Sequence, residues 1–173
     1  MAAHRHVDGG AVTRLDAKYG KFCNNDPLYP TVPTAADCVG VTVNGAPLPP
    51  GAVNLEGNQL TQAPKWQANV SGEYAFPVSS RLEITARADY KWQSEVHFDI
   101  YNNPLNSQGS YGLLNSSLAV GALDKTWSLS AWIRNALDER YISQATTRPG
   151  ANAYTSGSTG TPRMYGATFN YRF

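Results

Sequence analysis

Six stretches of ten to twelve residues alternate apolar and polar side chains with a period of two. The clearest is residues 81–92, RLEITARADYKW, in which Leu82, Ile84, Ala86, Ala88, Tyr90 and Trp92 oppose Arg81, Glu83, Thr85, Arg87, Asp89 and Lys91. Successive side chains of a strand point to opposite faces, so this spacing predicts β-structure. Residues 65–76 set Trp66, Ala68, Val70, Gly72, Tyr74 and Phe76 against Gln67, Asn69, Ser71 and Glu73. Residues 111–121, 126–135 and 164–173 repeat the pattern with Leu114, Leu118 and Val120, with Trp127, Leu129, Ala131 and Ile133, and with Tyr165, Ala167, Phe169, Tyr171 and Phe173. Residues 11–22 place Thr13, Leu15, Ala17 and Tyr19 against Arg14, Asp16 and Lys18. Trp132 interrupts an otherwise polar face.

Such runs are about twice the ~5–6 residues of an ordinary strand and match the ~9–11 that a tilted strand needs to cross a bilayer. Aromatic residues gather near the ends of the apolar faces, where ring side chains with a polar edge settle at membrane interfaces. The connections alternate in length: 77–80 and 123–126 are tight, whereas 23–64, 93–109 and 136–163 are long and rich in Asn, Ser, Gly, Pro and Tyr. Short turns on one side and long loops on the other characterise outer-membrane barrels. The predicted fold is therefore all-β, an antiparallel meander of six long transmembrane strands, with all three long loops outside the cell. An antiparallel sandwich also alternates apolar and polar faces, so a soluble binding module stands as an alternative, as does an adhesin-like barrel fragment.

Composition narrows the function. Net charge is +1 and charged residues make up 16%, which gives no field for nucleic acid. No apolar run approaches the ~20 residues of a membrane helix. The opening MAAHRHVDGG has no apolar core of the kind a secretory leader needs, and residues 1–9 read as a disordered or truncated start. Cys23 and Cys38 fit no zinc spacing, since neither a second Cys pair nor a His pair accompanies them. They read as a loop disulfide or as two free thiols, and a disulfide requires an oxidising compartment. His4 and His6 lack a supporting carboxylate cluster. Ser94, His97 and Asp99 hold the residue types of a hydrolytic triad without a Gly-rich oxyanion element. The expectation is a chain with no catalytic residues, metal or cofactor.

Three longer stretches resemble TonB-dependent outer-membrane receptors. NLEGNQLTQAPKWQANVSGEYAF (54–76) is similar to the family's Gly-x-x-Leu-x-x-Ala-Pro loop leading into a strand opened by Lys-Trp. YGLLNSSLAVGALDKTWSLSAWIRNALDERY (111–141) resembles its penultimate hairpin with an Asn-x-x-Asp-x-x-Tyr exit. GTPRMYGATFNYRF (160–173) resembles its closing strand, Pro-Arg-x-Tyr-Gly followed by alternation to Phe. The resemblance covers nearly all of residues 10–173 and implies the C-terminal part of a 22-stranded barrel. It implies energised uptake of a scarce nutrient such as a ferric siderophore, through TonB and a plug that this chain lacks. Six strands cannot close a barrel whose smallest bacterial relatives have about eight, so the expectation is a fragment. The resemblance also implies that Tyr165, Phe169, Tyr171 and Phe173 form the signal read by the barrel-assembly machinery. Arg87, Asp89, Lys91, Arg134 and Arg172 are expected to face the lumen, and lipid is expected on the other face.

Overall fold

The computed structural model describes residues 5–26, 32–148 and 154–173. Six strands form one sheet: β1 (Arg5–Arg14), β2 (Trp66–Pro77), β3 (Leu82–Gln93), β4 (Tyr111–Ala122), β5 (Trp127–Arg134) and β6 (Met164–Tyr171). They lie side by side in chain order, each antiparallel to the next. Five of the six begin and end within two residues of the alternating runs.

Register carries the alternation across the whole sheet. Ala86 stands opposite Tyr74 on one side and Leu118 on the other. Leu118 faces Ala131, which in turn faces Ala167. Directly opposed residues share a face, so the apolar residues of β2 to β6 form one continuous surface. Nothing among the described residues covers that surface: Val70 and Leu118 are each 56% exposed, Phe169 64% and Tyr165 81%. A soluble sandwich would bury these positions against a second sheet. The described buried apolar residues instead lie largely outside the sheet, chiefly Cys23, Cys38, Ala52 and Leu55 in the first long loop. The sandwich alternative is thereby overturned.

The first strand departs from expectation in span and in facing. The chain already pairs with β2 at Arg5, so the predicted disordered start does not extend over residues 5–9. Residues 1–4, His4 included, lie outside the described residues. At the other end the ladder slips after Arg14. Arg14 faces Trp66 and Lys18 faces Gln59, so four residues on one side oppose seven on the other. Pro64 has no N–H to continue the ladder, and residues 15–19 pair instead with the loop through Leu60 N to Ala17 O (3.1 Å) and Tyr19 N to Asn58 O (2.8 Å). Within β1, Val12 shares the apolar face with Ala68, and Thr13 lies with Gln67 on the polar one. Arg14, predicted polar-facing, stacks over the Trp66 ring at 5.5 Å. The Leu15–Ala17–Tyr19 alternation that fixed the predicted facing lies past the strand's end.

Two glycines explain aromatics on the sheet. A Cβ on Gly166 would come within 2.5 Å of Trp132, its partner across β5 and β6, so the indole lies flat over a position only glycine leaves open. Tyr90 covers Gly112 in the same way, where a Cβ would meet its hydroxyl at 2.1 Å. Trp132 therefore packs along the polar face and does not interrupt the pattern.

Candidate functional site

The polar face of the sheet carries an ordered set of charges. Arg87 on β3 pairs with Glu73 on β2 at 2.7 Å, directly across the register. Asp89 accepts from Asn115 Nδ2 at 2.8 Å. Asn115 Oδ1 in turn accepts from Asn135 N (3.0 Å), so one chain of hydrogen bonds runs from β3 to the end of β5. Lys91 stands between Asn69 and Leu113. Arg134 lies 5.3 Å over the Trp132 ring. Arg172 lines a groove of about 410 Å³ with Glu83, Thr85, Lys125, Ser128 and Asn170, at the end of the sheet that carries the short turns. The five predicted lumen-facing residues lie on or beside this one face. Tyr165, Phe169 and Tyr171 lie on the other, and Tyr171 meets Phe173 edge to face at 5.3 Å.

At the long-loop end, Asn135 organises the exit of β5. Only 4% exposed, it donates from Nδ2 to Glu139 O (2.9 Å) and to Thr161 O (3.0 Å), and its Oδ1 accepts from Glu139 N (2.9 Å). Asp138 pairs with Arg163 at 3.6 Å. The Asn-x-x-Asp-x-x-Tyr and Pro-Arg-x-Tyr-Gly motifs thus clasp each other where β5 ends and β6 begins.

The three long loops are docked together. Cys23 and Cys38 are joined by a disulfide (Cα–Cα 5.8 Å) inside a small core with Ala52. Asn58 Nδ2 donates to Ile100 O (2.9 Å), and Asn102 binds Gln59 through both its oxygen (2.6 Å) and its nitrogen (3.0 Å), linking the first loop to the second. Asn106 Nδ2 to Thr147 Oγ1 (3.2 Å) links the second to the third, and Tyr111, at the start of β4, stacks on Tyr141 of the third at 4.3 Å. Sequence reasoning missed these loop contacts, although the clustering of Asn in 102–106 was a usable signal for turns that offer side-chain hydrogen bonds. The triad residues do not assemble. Ser94 Oγ accepts from Trp66 N (3.0 Å), and Asp99 is taken up by Tyr101 N, Asn103 N and Asn106 Nδ2. His6 sits 3.3 Å from Asp8, and no group of three metal-ligating side chains occurs among the described residues.

A six-stranded meander with one uncovered apolar face, one charged face and long loops confined to one end calls for comparison with membrane barrels. The family model described as TonB dependent receptor-like, beta-barrel matches residues 12–136, from β1 through the end of β5. The chain belongs to the TonB-dependent receptor barrel family. That family comprises outer-membrane receptors and transporters of nutrients, and no curated protein or solved structure matches the chain. In outer-membrane barrels generally, lipid-facing and lumen-facing residues alternate along each strand.

Tyr101 offers a pH test of loop docking. Its hydroxyl donates to Asn25 O in the first loop. Burial, then the carboxylates of Asp26 and Asp99, push its pKa up to about 12 from 10.0. The folded value lies above the unfolded one, so this contact stabilises docking fully below pH 10 and is lost as the pH rises through about 12. Absorbance titration is expected to show one late-ionising tyrosine that Tyr101→Phe removes. An unchanged titration in Tyr101→Phe would place the late group elsewhere.

Proposed function

We propose that this chain is barrel wall of a receptor for energised uptake of a scarce nutrient such as a ferric siderophore, and that its three docked loops face the exterior. The observation that carries this reading is the pairing of an uncovered apolar face with long loops at one end only. The lumen face, with Arg87, Asp89, Lys91, Arg134 and Arg172, suits contact with a plug domain that a TonB system would move. The Cys23–Cys38 bridge suits an oxidising exterior. On β6, the unpaired edge and the stripe Tyr165, Phe169, Tyr171 and Phe173 form the element on which barrel-assembly machinery would act, because a free strand edge templates further pairing.

Topology tests the reading directly. Single cysteines are introduced at Asn44 and Leu137 in the long loops and at Ser79 and Asp124 in the tight turns. Each variant is placed in a receptor carrying this segment and treated in intact cells with a membrane-impermeant maleimide. Labelling confined to Asn44→Cys and Leu137→Cys is expected. Labelling of the turn positions in intact cells would overturn the reading.

A further inference from the structure

The polar face of the sheet is not uniform along its length. Toward the short turns its side chains satisfy one another, as Glu73 does with Arg87 (2.7 Å) and Asn115 with Asp89 (2.8 Å). The two rows nearer the long loops differ. Register sets Thr13, Gln67 and Gln93 side by side, and places Asn69 beside Lys91 in the next row. Among the described residues, none of these five side chains makes a hydrogen bond or an ion pair with another. All five line one open cleft of about 420 Å³, with Tyr111 at its edge. No Asp or Glu is among the described residues that line it.

A side-chain amide offers two N–H donors for one oxygen, and an ammonium offers donors only, so the cleft holds a surplus of donors. It also carries the positive charge of Lys91, which no carboxylate in the cleft offsets. Its complement is a ligand rich in oxygen acceptors that carries a single negative charge. A carboxylate meets the charge condition at pH 7, where a phosphate monoester carries roughly −1.5 to −2. Hydroxyl groups supply the oxygens, and each can donate to an amide oxygen in return. The volume falls within the range of small-molecule sites. We propose that this cleft binds a polyhydroxylated carboxylate, with Lys91 Nζ donating to the carboxylate and Gln67, Asn69 and Gln93 hydrogen-bonded to the hydroxyls. The Tyr111 ring, stacked on Tyr141, gives the carbon chain an apolar wall. The proposal rests on the receptor reading for its placement in the lumen and deepens that reading by naming a ligand class.

A receptor carrying this segment, in detergent micelles at pH 7, is titrated calorimetrically with D-gluconate, D-glucitol and D-glucamine, which differ only in the group at the first carbon. Gluconate is expected to bind at least tenfold tighter than glucitol, and glucamine not at all. Lys91→Gln is expected to bring gluconate down to the affinity of glucitol and to leave glucitol unchanged, which also shows that the variant is folded. Gln93→Leu is expected to weaken both. Arg81→Gln removes a cation beside the tight turn at the other end of β3 and is expected to change neither. Equal affinity for gluconate and glucitol, gluconate binding indifferent to Lys91→Gln, or no gluconate binding by the folded receptor at millimolar concentration would each overturn the proposal. If maleimide labelling is then still confined to the long loops, the receptor topology stands without this ligand. Gluconate binding that depends on Lys91, together with labelling of the turns in intact cells, would instead overturn the external placement of the loops and leave the cleft's ligand class standing.

Discussion

In a complete receptor carrying this segment, Ala86→Arg is expected to destabilise the folded barrel in a bilayer by roughly 2–4 kcal/mol, and Thr85→Arg by less than about 1 kcal/mol. The two positions are neighbours on β3 and differ only in face. Ala86 sits midway along the apolar surface, between Tyr74 and Leu118, where lipid offers a guanidinium no partner. Thr85 lies beside the groove that contains Glu83 and Asn170, where an added arginine meets water and a carboxylate. Depth matters as well as face, because the penalty falls to about 0–1 kcal/mol near an interface. Leu82→Arg, at the end of the same face beside the turn, is therefore expected to cost much less than Ala86→Arg. Urea titration in lipid vesicles, followed by tryptophan fluorescence, measures all three. Equal costs at Ala86 and Thr85 would remove the assignment of faces, and with it the main physical support for a membrane-spanning sheet.

The elements legible in the sequence were those whose side chains answer to one local rule. Over Leu82–Gln93 every second residue is apolar, and neighbouring strands repeat the pattern, so span, facing and pairing all follow from alternation. The same rule failed for the first strand because the residues in the ladder, RHVDGGAVTR (5–14), do not alternate, whereas the alternating Leu15, Ala17 and Tyr19 lie past its end. Pro64 was the available clue, since a proline two residues before Trp66, the last partner in the ladder, marks where β2's pairing cannot continue. The loops were not legible for a different reason. Asn58 meets Ile100, and Tyr101 meets Asn25, contacts that join residues far apart in the chain. No local spacing encodes such a pair. Trp132 shows a third kind of failure: a large apolar residue on a polar face looks like an error until its cross-strand partner proves to be Gly166.

Asn135 is the residue whose loss is expected to matter most among those that sequence reasoning left without a role. Its side chain satisfies three backbone groups at once, Glu139 N, Glu139 O and Thr161 O. Two of them lie in its own turn and the third on the approach to β6. It also adopts a positive φ of 48°, a conformation that asparagine tolerates better than alanine. Asn135→Ala is therefore expected to cost about 3 kcal/mol, from unsatisfied buried groups and from backbone strain together. Asn135→Gly removes the same hydrogen bonds but relieves the backbone, so it is expected to cost about 1 kcal/mol less than alanine. Asn170→Ala on β6 loses only a long contact to Ser128 (3.5 Å) and is expected to stay within about 0.5 kcal/mol of the parent. Because Thr161 precedes β6, the alanine variant should also expose residues 136–163 to protease before the sheet unfolds. Limited proteolysis beside urea titration separates the two effects. A glycine variant no better than alanine would remove the strain contribution, and a clasp worth less than about 1 kcal/mol would mean that β6 is held in register by the sheet ladder alone.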